Sequence, residues 1–528
     1  MKPLGDSAWL VEFPEKSGLD ALAQVTGMAG ALAKNRPAGV LDVVPAFDTV
    51  AVHFSGRNRE KIRDWIEATS ITARLPEGRE IEIPVCYGGE FGPDLDAVAS
   101  EKCMSREEVI GVHSGGIYTV AAIGFSPGFP YLLGLPEELH LPRRNTPRLE
   151  VPAGSVAIAG KQGGIYPFAS PGGWHLLGRT DLSLFDPQAA HPALLKSGDR
   201  VRFIPVEKCG SIEKSPAAIA PSSERWIEVI HPGALTTVQD LGRSGYESSG
   251  VSPGGAVDAQ ALRIANLMVG NDEGAPALEI CMIGPVLKFH FDAVIALTGA
   301  TGKPQSIAAG QIVHFSKHSN SLRAYLAIAG GIIVPKILGS AATDLRAGFG
   351  GFQGRALQAG DRLEIGKAPR SPKFGSWHVR RAMNGMMREI ELRFLPGAQA
   401  DWFSENAHRF FREELFEISP NSDRMGARLS GSSLDLIQPR EMISQPVVNG
   451  SVQVPPDGQP IILLAERQTI GGYPQIAHII STDLPKLARA WPGAKVRFLE
   501  VTLAEAQNLQ FLEEQDSAWL RTGLELLK

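Results

Sequence analysis

The chain has 528 residues, too many for one hydrophobic core, and a prior of about 100–200 residues per domain predicts three or four domains. Hydrophobic residues make up 43% and charged residues 21%, as in ordinary globular proteins, while 57 glycines and 38 prolines favour a β-rich fold with many turns. The formal net charge of -5 gives no general attraction to nucleic acids or anionic membranes, so we expect neither as a partner.

The beginning of the chain and its apolar segments predict a cytoplasmic protein. MKPLGDSAWLVEF lacks the charged and apolar regions of a signal peptide, and YLAIAGGIIVP is far shorter than the ~18–20 residues that a membrane helix needs. The four cysteines are scattered, with no CxxC pair, so disulfides and a cysteine-rich metal site are both poor interpretations.

The first 80 or so residues alternate between strand and helix patterns. DSAWLVEF, GVLDVVP and TVAVHF predict strands, whereas SGLDALAQVTGMAGALAKN and NREKIRDWIEAT predict amphipathic helices. After IEIPVCYGG the pattern changes to short strands interrupted by glycine and proline, among them YTVAAIGF, GSVAIAG and RVRFIPV. Such spacing indicates a barrel or a sandwich.

One local pattern occurs four times: a glycine turn followed by a strand with alternating apolar residues, at 197–206, 309–316, 359–366 and 492–501. Any β protein reuses glycine turns, so chance and the repeated use of similar β modules both stay open. The segment 207–224 is rich in Ser, Ala, Pro and charge and predicts a linker, and a weaker boundary lies in 366–389.

These patterns predict the following division of the chain. A small α+β domain occupies 1–82, a β domain (barrel or sandwich) 83–206, the linker 207–224, two further β domains 225–370 and 390–506, and a C-terminal tail 507–528.

Several catalytic motifs are absent or misleading. GSVAIAGKQ is one residue too long for a P-loop and lacks the hydroxyl after Lys161, and no lysine has the Met-Lys-Met context of a biotin attachment site. GFSPG (124–128) matches the letters of a nucleophile elbow. Pro127, however, has no N–H to donate to an oxyanion hole, so we do not expect Ser126 to be a nucleophile.

Three dense segments are candidates for a binding site. In the first, Gly124 to Thr180, arginine forks in Gly- and Pro-rich loops suit a carboxylate or a phosphate, although each arginine could instead pin a loop to carbonyl groups. The candidate binding residues of this segment are Arg143, Arg144, Arg148, Gln162, Tyr166 and Arg179.

The second segment, LTTVQDLGRSGYESSGVSPGGAVD, leads a glycine-rich loop into the helix DAQALRIANLMVGN and contributes Gln239, Asp240, Arg243 and Asp258. The third segment pairs NSDRMGARLSG with GSVQVPPDGQPIILLAERQTIGGYP and contributes Asp423, Arg424, Gln453, Asp457, Arg467 and Gln468. Neighbouring Asp and Arg residues are more often structural ion pairs than catalysts, so a pocket wall and a structural network are both open.

His113, in VIGVHSGG before the strand YTVAAIGF, is a candidate general acid or base near neutral pH. The alternative is a histidine at a strand entry whose hydrogen bonds are satisfied within the fold.

The passages GFSPGFPYLLGLP, PRRNTPR, VPAGSVAIAGKQGGIYP and SPGGWHLLGRT resemble the allophanate hydrolase subunit 1 family over about 1–206. That family includes the B-type subunit of 5-oxoprolinase and a sporulation-kinase inhibitor. HPGALTTVQDLGRSGYESSGVSPGGAVD, NSDRMGARLSG and LLAERQTIGGYP resemble the subunit 2 family over about 225–506. It includes the C-type subunit of 5-oxoprolinase and the antagonist of that inhibitor, so the chain resembles a fusion of two partner subunits.

The resemblance implies a mainly β fold with α+β parts: cyclophilin-like β-barrel domains in both halves, plus the small N-terminal α+β domain. It also implies a hydrolase that opens 5-oxoproline, a cyclic amide, to glutamate with ATP and a third protein of the LamB/YcsF type. In that reaction Asp240, Asp258 or Asp457 would hold Mg²⁺ or act in catalysis, and the arginines would hold phosphate or the substrate carboxylate.

Two other functions remain open. Similar paired domains form the carboxyltransferase region of urea carboxylase, which implies carboxyl transfer with a separate biotin carboxyl carrier. A module that regulates a histidine kinase is the non-enzymatic alternative, although fusion of inhibitor-like and antagonist-like halves argues against it. The fused halves also suggest a unit that assembles further, for example as a homo-oligomer.

Overall fold

The computed structural model describes residues 1–55, 58–71, 78–210, 223–299, 302–315, 321–370, 378–380, 387–440 and 442–526. Most of the predicted linker, 211–222, and parts of the weaker boundary, 371–377 and 381–386, lie outside the described residues. The domain limits predicted from the sequence therefore stay predictions.

The N-terminal unit is the predicted small α+β domain. Its elements are β1 (Lys2–Leu4), β2 (Ala8–Glu12), α1 (Gly18–Lys34), β3 (Val40–Ala46), β4 (Thr49–Phe54) and α2 (Arg59–Glu67). The strands form one antiparallel sheet in the order β1-β2-β4-β3. Helix α1 packs on this sheet because its buried residues, among them Leu22, Val25 and Leu32, recur at helical spacing.

The next unit is a closed seven-stranded barrel, here called the first barrel. Its elements are β5 (Glu80–Tyr87), α3 (Leu95–Glu101), α4 (Arg106–Gly115), β6 (Tyr118–Ile123), β7 (Pro130–Leu133), β8 (Arg148–Val151), β9 (Ser155–Ala159), β10 (Gln162–Ile165), β11 (Ser170–Gly172), β12 (His175–Arg179) and β13 (Arg200–Pro205). The strand order around the barrel is β5-β12-β9-β10-β7-β6-β13, and the parallel pair β13–β5 closes it. Strands β8 and β11 form a separate two-stranded sheet.

The third unit differs from the predicted β-barrel at 225–370, because its strands form two five-stranded sheets around one core. Its elements are β14 (Trp226–His231), β15 (Leu235–Gln239), α5 (Ala259–Met268), β16 (Ala277–Cys281), β17 (Val286–Phe289), β18 (Ala293–Leu297), β19 (Gln305–Ile307), β20 (Ile312–His314), β21 (Arg323–Ile328), β22 (Ile332–Ile333) and β23 (Arg362–Ile365). The sheets have the orders β20-β17-β14-β23-β22 and β15-β16-β21-β18-β19, and we call this unit the two-sheet domain.

The fourth unit is the second closed seven-stranded barrel. Its elements are β24 (Met387–Pro396), α6 (Glu405–Glu413), β25 (Phe416–Ile418), β26 (Gly426–Ser430), β27 (Gln445–Pro446), β28 (Ser451–Gln453), β29 (Ile461–Leu463), β30 (Ile470–Gly471), β31 (Gln475–Ile479), α7 (Leu484–Arg489) and β32 (Ala490–Glu500). The predicted tail is instead a long helix, α8 (Leu503–Leu526), which begins with reciprocal hydrogen bonds between Thr502 and Glu505. No helix in the described part of the chain combines the length and apolar content that a membrane span requires.

The two barrels have the same topology. The second barrel has the order β24-β31-β28-β29-β26-β25-β32, which matches the first barrel strand for strand, and the two-stranded sheet β27–β30 corresponds to β8–β11. In the parallel pair that closes each barrel, Val201 lies opposite Ile81 and Val496 opposite Ile390. The recurring sequence pattern at 197–206 and 492–501 therefore marks equivalent strands, whereas 309–316 and 359–366 belong to the two-sheet domain.

The barrels touch through a close backbone approach. A Cβ atom added at Gly124, at the end of β6, would lie 2.6 Å from Cβ of Ile470 in the second barrel. Ile470 is packed into a hydrophobic cluster with residues of the first barrel, among them Phe129 and Tyr131. A side chain at position 124 would therefore force the barrels apart.

We expect Gly124→Ala to destabilise the protein by about 1–3 kcal/mol, because overpacking at this contact must displace Ile470. Chemical denaturation of the purified variant measures the effect. Gly163→Ala is the matched control, since its Cβ would have no neighbour nearer than 3.7 Å. An unchanged unfolding midpoint for Gly124→Ala, or no recovery when Ile470→Ala is added, would contradict the packing argument.

Candidate functional site

Loops from three units meet at one place, which we call the junction. The loop after β6 of the first barrel contacts the two-sheet domain, where the N–H of Gly128 donates to the carbonyl of Ser249 at 3.0 Å. The second barrel contacts the same domain, where the N–H of Gly254 donates to the carbonyl of Ala465 at 3.0 Å. Backbone contacts of this kind hold the loops of the junction in register.

A cleft opens at the junction, and we call it the junction cleft. The first barrel contributes Ser126 and Ser170, the two-sheet domain contributes Ser252, Asp344 and Arg346, and the second barrel contributes Glu466. Apolar atoms of Phe125, Pro127 and Phe168 complete its wall. The cleft shares with small-molecule sites a position between domains, apolar walls and a few converging polar groups, but its free volume of about 20 Å³ is that of one water molecule, so a substrate has to widen it.

Arg346 supplies the positive charge of the junction cleft. Its guanidinium lies 5.3 Å from the ring centre of Phe125, a cation–π arrangement between the two-sheet domain and the first barrel. Burial lowers the pKa of Arg346, with Asp344, Asp423 and Glu466 acting in the opposite direction. The guanidinium nevertheless stays charged at neutral pH and suits a carboxylate or a phosphoryl group.

Glu466 supplies an acid group to the same cleft. Burial raises the pKa of its carboxyl group, and the nearby negative charge of Asp344 acts in the same direction, while Arg424 opposes both. A raised pKa favours the protonated form of a carboxyl group, which is the form that a general acid needs.

Ser170 adds a hydroxyl group that is free for a ligand. Its side chain is 7% exposed, and its Oγ has no hydrogen-bond partner. The hydroxyl of Thr469, in the equivalent loop of the second barrel, is also buried without a partner. Buried hydroxyls are usually hydrogen-bonded, so the free Oγ of Ser170 in the wall of a cleft is a potential ligand contact.

A buried ion network supports Glu466 from behind. Arg424 donates from Nε to Glu466 at 2.6 Å, from Nη1 to Glu279, and from Nη2 to the carbonyl of Gly255 at 2.7 Å. Glu279 also accepts from the hydroxyl of Tyr325 at 2.7 Å. Arg424 contacts both buried carboxylates and so links the second barrel to the two-sheet domain. Of the two carboxyl groups, Glu279 has a lowered pKa and Glu466 a raised one.

A second network joins three units. Arg467 of the second barrel pairs with Glu247 of the two-sheet domain, and Glu247 lies 3.0 Å from Nδ1 of His53 in the N-terminal domain. Asp42 of the N-terminal domain accepts from the backbone N–H of Ser248 at 2.9 Å. These contacts fix the N-terminal domain against the body of the molecule.

The arginines of the first segment lie outside the junction cleft. Arg144 and Arg148 both donate to Oδ1 of Asp94 at 2.7 Å, so they pin the 142–150 loop to the start of α3. Arg179 stacks on Phe91 with its guanidinium 4.5 Å from the ring centre, and Arg143 is exposed. Gln162 is half-buried on β10, and the prediction of one arginine pocket therefore has no support from the geometry.

Tyr166 lies in an aromatic cluster next to the cleft. Its ring centre is 5.2 Å from that of Phe129 and 6.1 Å from that of Phe125, a residue of the cleft wall. Burial raises its pKa, and the positive charges of Arg143 and Arg148 act in the opposite direction. Tyr166 therefore packs behind the wall of the cleft.

The residues of the second segment lie in or near the two-sheet domain and hold loops together. Asp240 accepts from Ser340 Oγ at 2.6 Å and from the N–H of Ala341 at 2.7 Å, and Asp258 caps α5 and pairs with Arg489 at 2.7 Å. Gln239 is buried and donates to the carbonyl of Thr343 at 3.2 Å. Arg243 donates to the carbonyl of Ala342, and its guanidinium lies 4.9 Å from the ring centre of Phe349.

In the third segment, Arg424 and Arg467 form the networks described above, and the others lie nearby. Asp423 closes a turn by accepting from the N–H of Met425 at 2.8 Å, and Asp457 does the same with Gln459 at 3.1 Å on an exposed turn. Gln453 accepts from Gln468 Nε2 at 3.4 Å. The third segment therefore forms a structural network, one of the two alternatives that the sequence left open. Glu466 connects this network to the wall of the cleft.

His113 lies in helix α4 and not at a strand entry. It is fully buried, stacks on Phe203 with ring centres 4.6 Å apart, and shares a hydrogen bond of 2.8 Å between Nδ1 and the hydroxyl of Tyr87. Burial lowers the pKa of His113 to about 3. His113 thus lies in the core of the first barrel, outside the junction cleft, and it meets the structural alternative only in part, because Nδ1 is hydrogen-bonded whereas the buried Nε2 has no partner.

His113 makes stability depend on pH. In the unfolded chain its pKa is about 6.5, above the folded value of about 3, so protonation favours unfolding as the pH falls below 6.5. We expect the free energy of unfolding to drop by roughly 2 kcal/mol between pH 7 and pH 5 from this group alone. Denaturant titrations of the wild-type and His113→Gln proteins at both pH values measure this drop. An equal drop in the free energy of unfolding in both proteins would contradict its assignment to His113.

The cleft residues Ser170, Ser252, Asp344, Arg346 and Glu466 were not among the sequence candidates. A partial signal existed, since Arg346 lies in the glycine-rich run LGSAATDLRAGFGGFQGRAL and Glu466 directly precedes the candidate Arg467. The signal is a charged residue beside several glycines in a loop, which is a common place for binding residues.

Comparisons with known families cover most of the chain. Residues 249–500 match the family described as carboxyltransferase domain, subdomain A and B, and residues 1–195 match carboxyltransferase domain, subdomain C and D. The two matches meet at the junction, because subdomains from both halves provide its loops.

Individual relatives match one half each. The second half is 42% identical over 292 residues to the C-type subunit of 5-oxoprolinase from Escherichia coli, covering 53% of this chain and 93% of that protein. The first half is 40% identical over 223 residues to the B-type subunit of 5-oxoprolinase from Bacillus subtilis, covering 39% of this chain and 93% of that protein. A more distant match is urea amidolyase of Saccharomyces cerevisiae, 30% identical over 321 residues, covering 55% of this chain and 17% of that protein.

One solved structure matches nearly the whole chain. The crystal structure of TTHA0988 superposes with a TM-score of 0.83 at 35% sequence identity, covering 93% of this chain and 99% of that one. The arrangement of both halves in a single chain therefore also exists in a solved structure.

Proposed function

Because the chain belongs to the carboxyltransferase-domain family that includes the B- and C-type subunits of 5-oxoprolinase, we propose that it joins both subunits of an ATP-dependent 5-oxoprolinase. The reaction opens the lactam of 5-oxoproline with water to give glutamate. The observation that carries the proposal is the junction cleft, where both halves contribute groups suited to this substrate.

The substrate has one carboxylate and one cyclic amide, and the cleft offers a group for each. Arg346 would bind the carboxylate, because a guanidinium pairs with it through two parallel hydrogen bonds. The hydroxyl of Ser170 would hold the lactam. Glu466 would deliver a proton to the ring nitrogen as the carbon–nitrogen bond breaks, since burial raises the pKa of its carboxyl group.

ATP would activate the lactam by transferring its γ-phosphoryl group to the carbonyl oxygen with release of ADP. Water would then add to the carbon, and phosphate would leave as the new carboxyl group of glutamate forms. We further propose a partner of the LamB/YcsF type, which would complete the reaction.

Two of the three carboxylates expected to hold Mg²⁺ are already engaged within the fold. Asp240 accepts from Ser340, Ala341 and the N–H of Gly242, and Asp258 accepts from Arg489 and from its helix cap. Asp457 lies on an exposed turn, and its role stays a prediction. Within the described residues no group of three or more His, Cys, Asp or Glu side chains is arranged to hold a metal ion. Asp240 and Asp258 therefore stabilise the fold.

The test is ATP-dependent release of glutamate from 5-oxoproline by the purified chain, with and without a LamB/YcsF-type protein. Activity that needs both proteins supports the proposal, and Glu466→Gln should then lower kcat at least about 100-fold, the usual range for loss of a general acid. Arg497→Gln, an exposed residue paired with Glu389, is the matched control. If no mixture turned over 5-oxoproline or consumed ATP, the proposal would be refuted.

Carboxyl transfer is the second candidate, and the family description and the match to urea amidolyase favour it. In that case the junction cleft would take a small amide, and a biotin carrier would supply the carboxyl group from a separate protein. Carboxylation of urea with a biotinylated carrier, in the absence of any glutamate release, would distinguish this function.

A further inference from the structure

A second cleft lies between the N-terminal domain and the C-terminal helix, and we call it the α2–α8 cleft. Asn58, Arg59 and Lys61 line it from the start of α2, and Gln507 and Gln510 line it from α8. It is formed by different elements from those of the junction cleft, and the proposed function makes no use of it.

Arg59 is a buried cation without hydrogen bonds. Its side chain is 4% exposed, and Nε, Nη1 and Nη2 all lack a hydrogen-bond partner. The guanidinium lies 4.2 Å from the ring centre of Trp9, which holds it in place through a cation–π contact. Burial lowers its pKa to about 10, so it is charged at neutral pH. A buried charge with three unsatisfied nitrogens is costly unless something pairs with it.

The start of α2 offers a second, independent set of donors. Asn58 is the N-cap residue, and its side chain makes no capping hydrogen bond to the nine-residue helix. The backbone N–H groups of Arg59, Glu60 and Lys61 belong to the first helical turn, where intrahelical acceptors are lacking. Uncapped N–H groups and the helix dipole together favour a negatively charged group at this end.

Carboxylates at the edge of the cleft limit what can bind. Asp6 raises the pKa of Arg59 by its charge, but it is engaged with Ser481, accepting from the backbone N–H at 2.8 Å and from the hydroxyl at 2.9 Å. Glu60 and Glu514 are exposed at the rim. Because Asp6, Glu60 and Glu514 line the same cleft as Arg59, their charges repel a large polyanion more than a small oxyanion that contacts only Arg59 and the helix start.

We propose that the α2–α8 cleft binds a small oxyanion, a carboxylate or a phosphate group, held by the Arg59 guanidinium and the first turn of α2. Binding would join the N-terminal domain to the C-terminal helix, since Gln507 and Gln510 close the cleft from the other side.

The experiment is thermal unfolding of the full chain in sodium phosphate and in sodium acetate, each compared with sodium chloride at equal ionic strength and pH 7. We expect one of the two oxyanions to raise the unfolding temperature by about 2–5 °C over chloride, because a ligand that binds only the folded state stabilises it. A larger effect of phosphate identifies a phosphate site, and a larger effect of acetate identifies a carboxylate site.

Arg59→Met should abolish this rise, and the methionine side chain can occupy the space beside Trp9. Asn58→Asp is the second variant, because it caps the helix while placing a fixed negative charge where the oxyanion would bind. Arg63→Gln, exposed on the same helix, and Arg346→Met, in the junction cleft, should both keep the rise. No rise over chloride with either anion, or a rise that persists in either Arg59→Met or Asn58→Asp, would overturn the proposal.

Discussion

We expect Arg346→Met to lower kcat/KM for 5-oxoproline by about 100-fold or more. A charge-assisted, two-point contact to the substrate carboxylate is worth roughly 3 kcal/mol, which corresponds to that factor. Methionine keeps an unbranched apolar side chain at this position, and it removes the guanidinium over Phe125 with its charge and all its donors.

Steady-state kinetics of the purified chain with its partner protein measure the effect. Arg346→Lys should recover part of the activity, because the charge returns without the planar fork. Arg497→Gln is the control for loss of an arginine elsewhere, since that residue is exposed. If Arg346→Met kept wild-type kcat/KM, the substrate carboxylate would have to bind somewhere else.

The second large effect is on stability. We expect Arg424→Met to destabilise the protein by about 3–5 kcal/mol, because it leaves the buried carboxylate of Glu466 without its cation. Glu279 keeps Arg323 at 3.8 Å and the hydroxyl of Tyr325, whereas Glu466 loses its ion pair. The unpaired charge falls at the contact between the second barrel and the two-sheet domain, so activity should fall together with stability.

Chemical denaturation of the variant measures this loss. Adding Glu466→Gln to Arg424→Met should return part of the stability, because the buried negative charge is removed as well. Arg497→Met breaks an exposed pair and should cost less than about 1 kcal/mol. A cost for Arg424→Met as small as that of the exposed pair would mean that the network is not what joins the two units.

Much of the fold was predictable because its signals are local. The helices of the N-terminal domain follow from their apolar spacing, and the strands Arg200–Pro205 and Ala490–Glu500 follow from alternation after a glycine turn. The helix that contains His113 also had a local signal that was missed, a Ser105–Glu108 capping box at its start.

The junction cleft was not predictable in the same way. Ser170 begins strand β11, Arg346 and Glu466 lie in loops, and all three are far apart in the sequence with no local pattern that marks them. Their proximity depends on how the two barrels pack on the two-sheet domain. The arginines at 143–148 had the stronger local pattern, but Asp94, which is far from them in the sequence, neutralises two of them.

The covalent joining of the two halves has a consequence for their association. His53 faces Glu247, and Asp6 faces Ser481, so residues of the first half contact the second half in several places. In relatives whose halves are separate proteins, the same contacts have to hold two molecules together, and dilution favours their dissociation. Here the effective concentration of one half near the other is on the order of millimolar, and it is set by the connecting segment and not by the amount of protein present. Weak contacts are therefore sufficient to keep the site assembled. Cutting the chain between the halves should restore a dependence of activity on protein concentration.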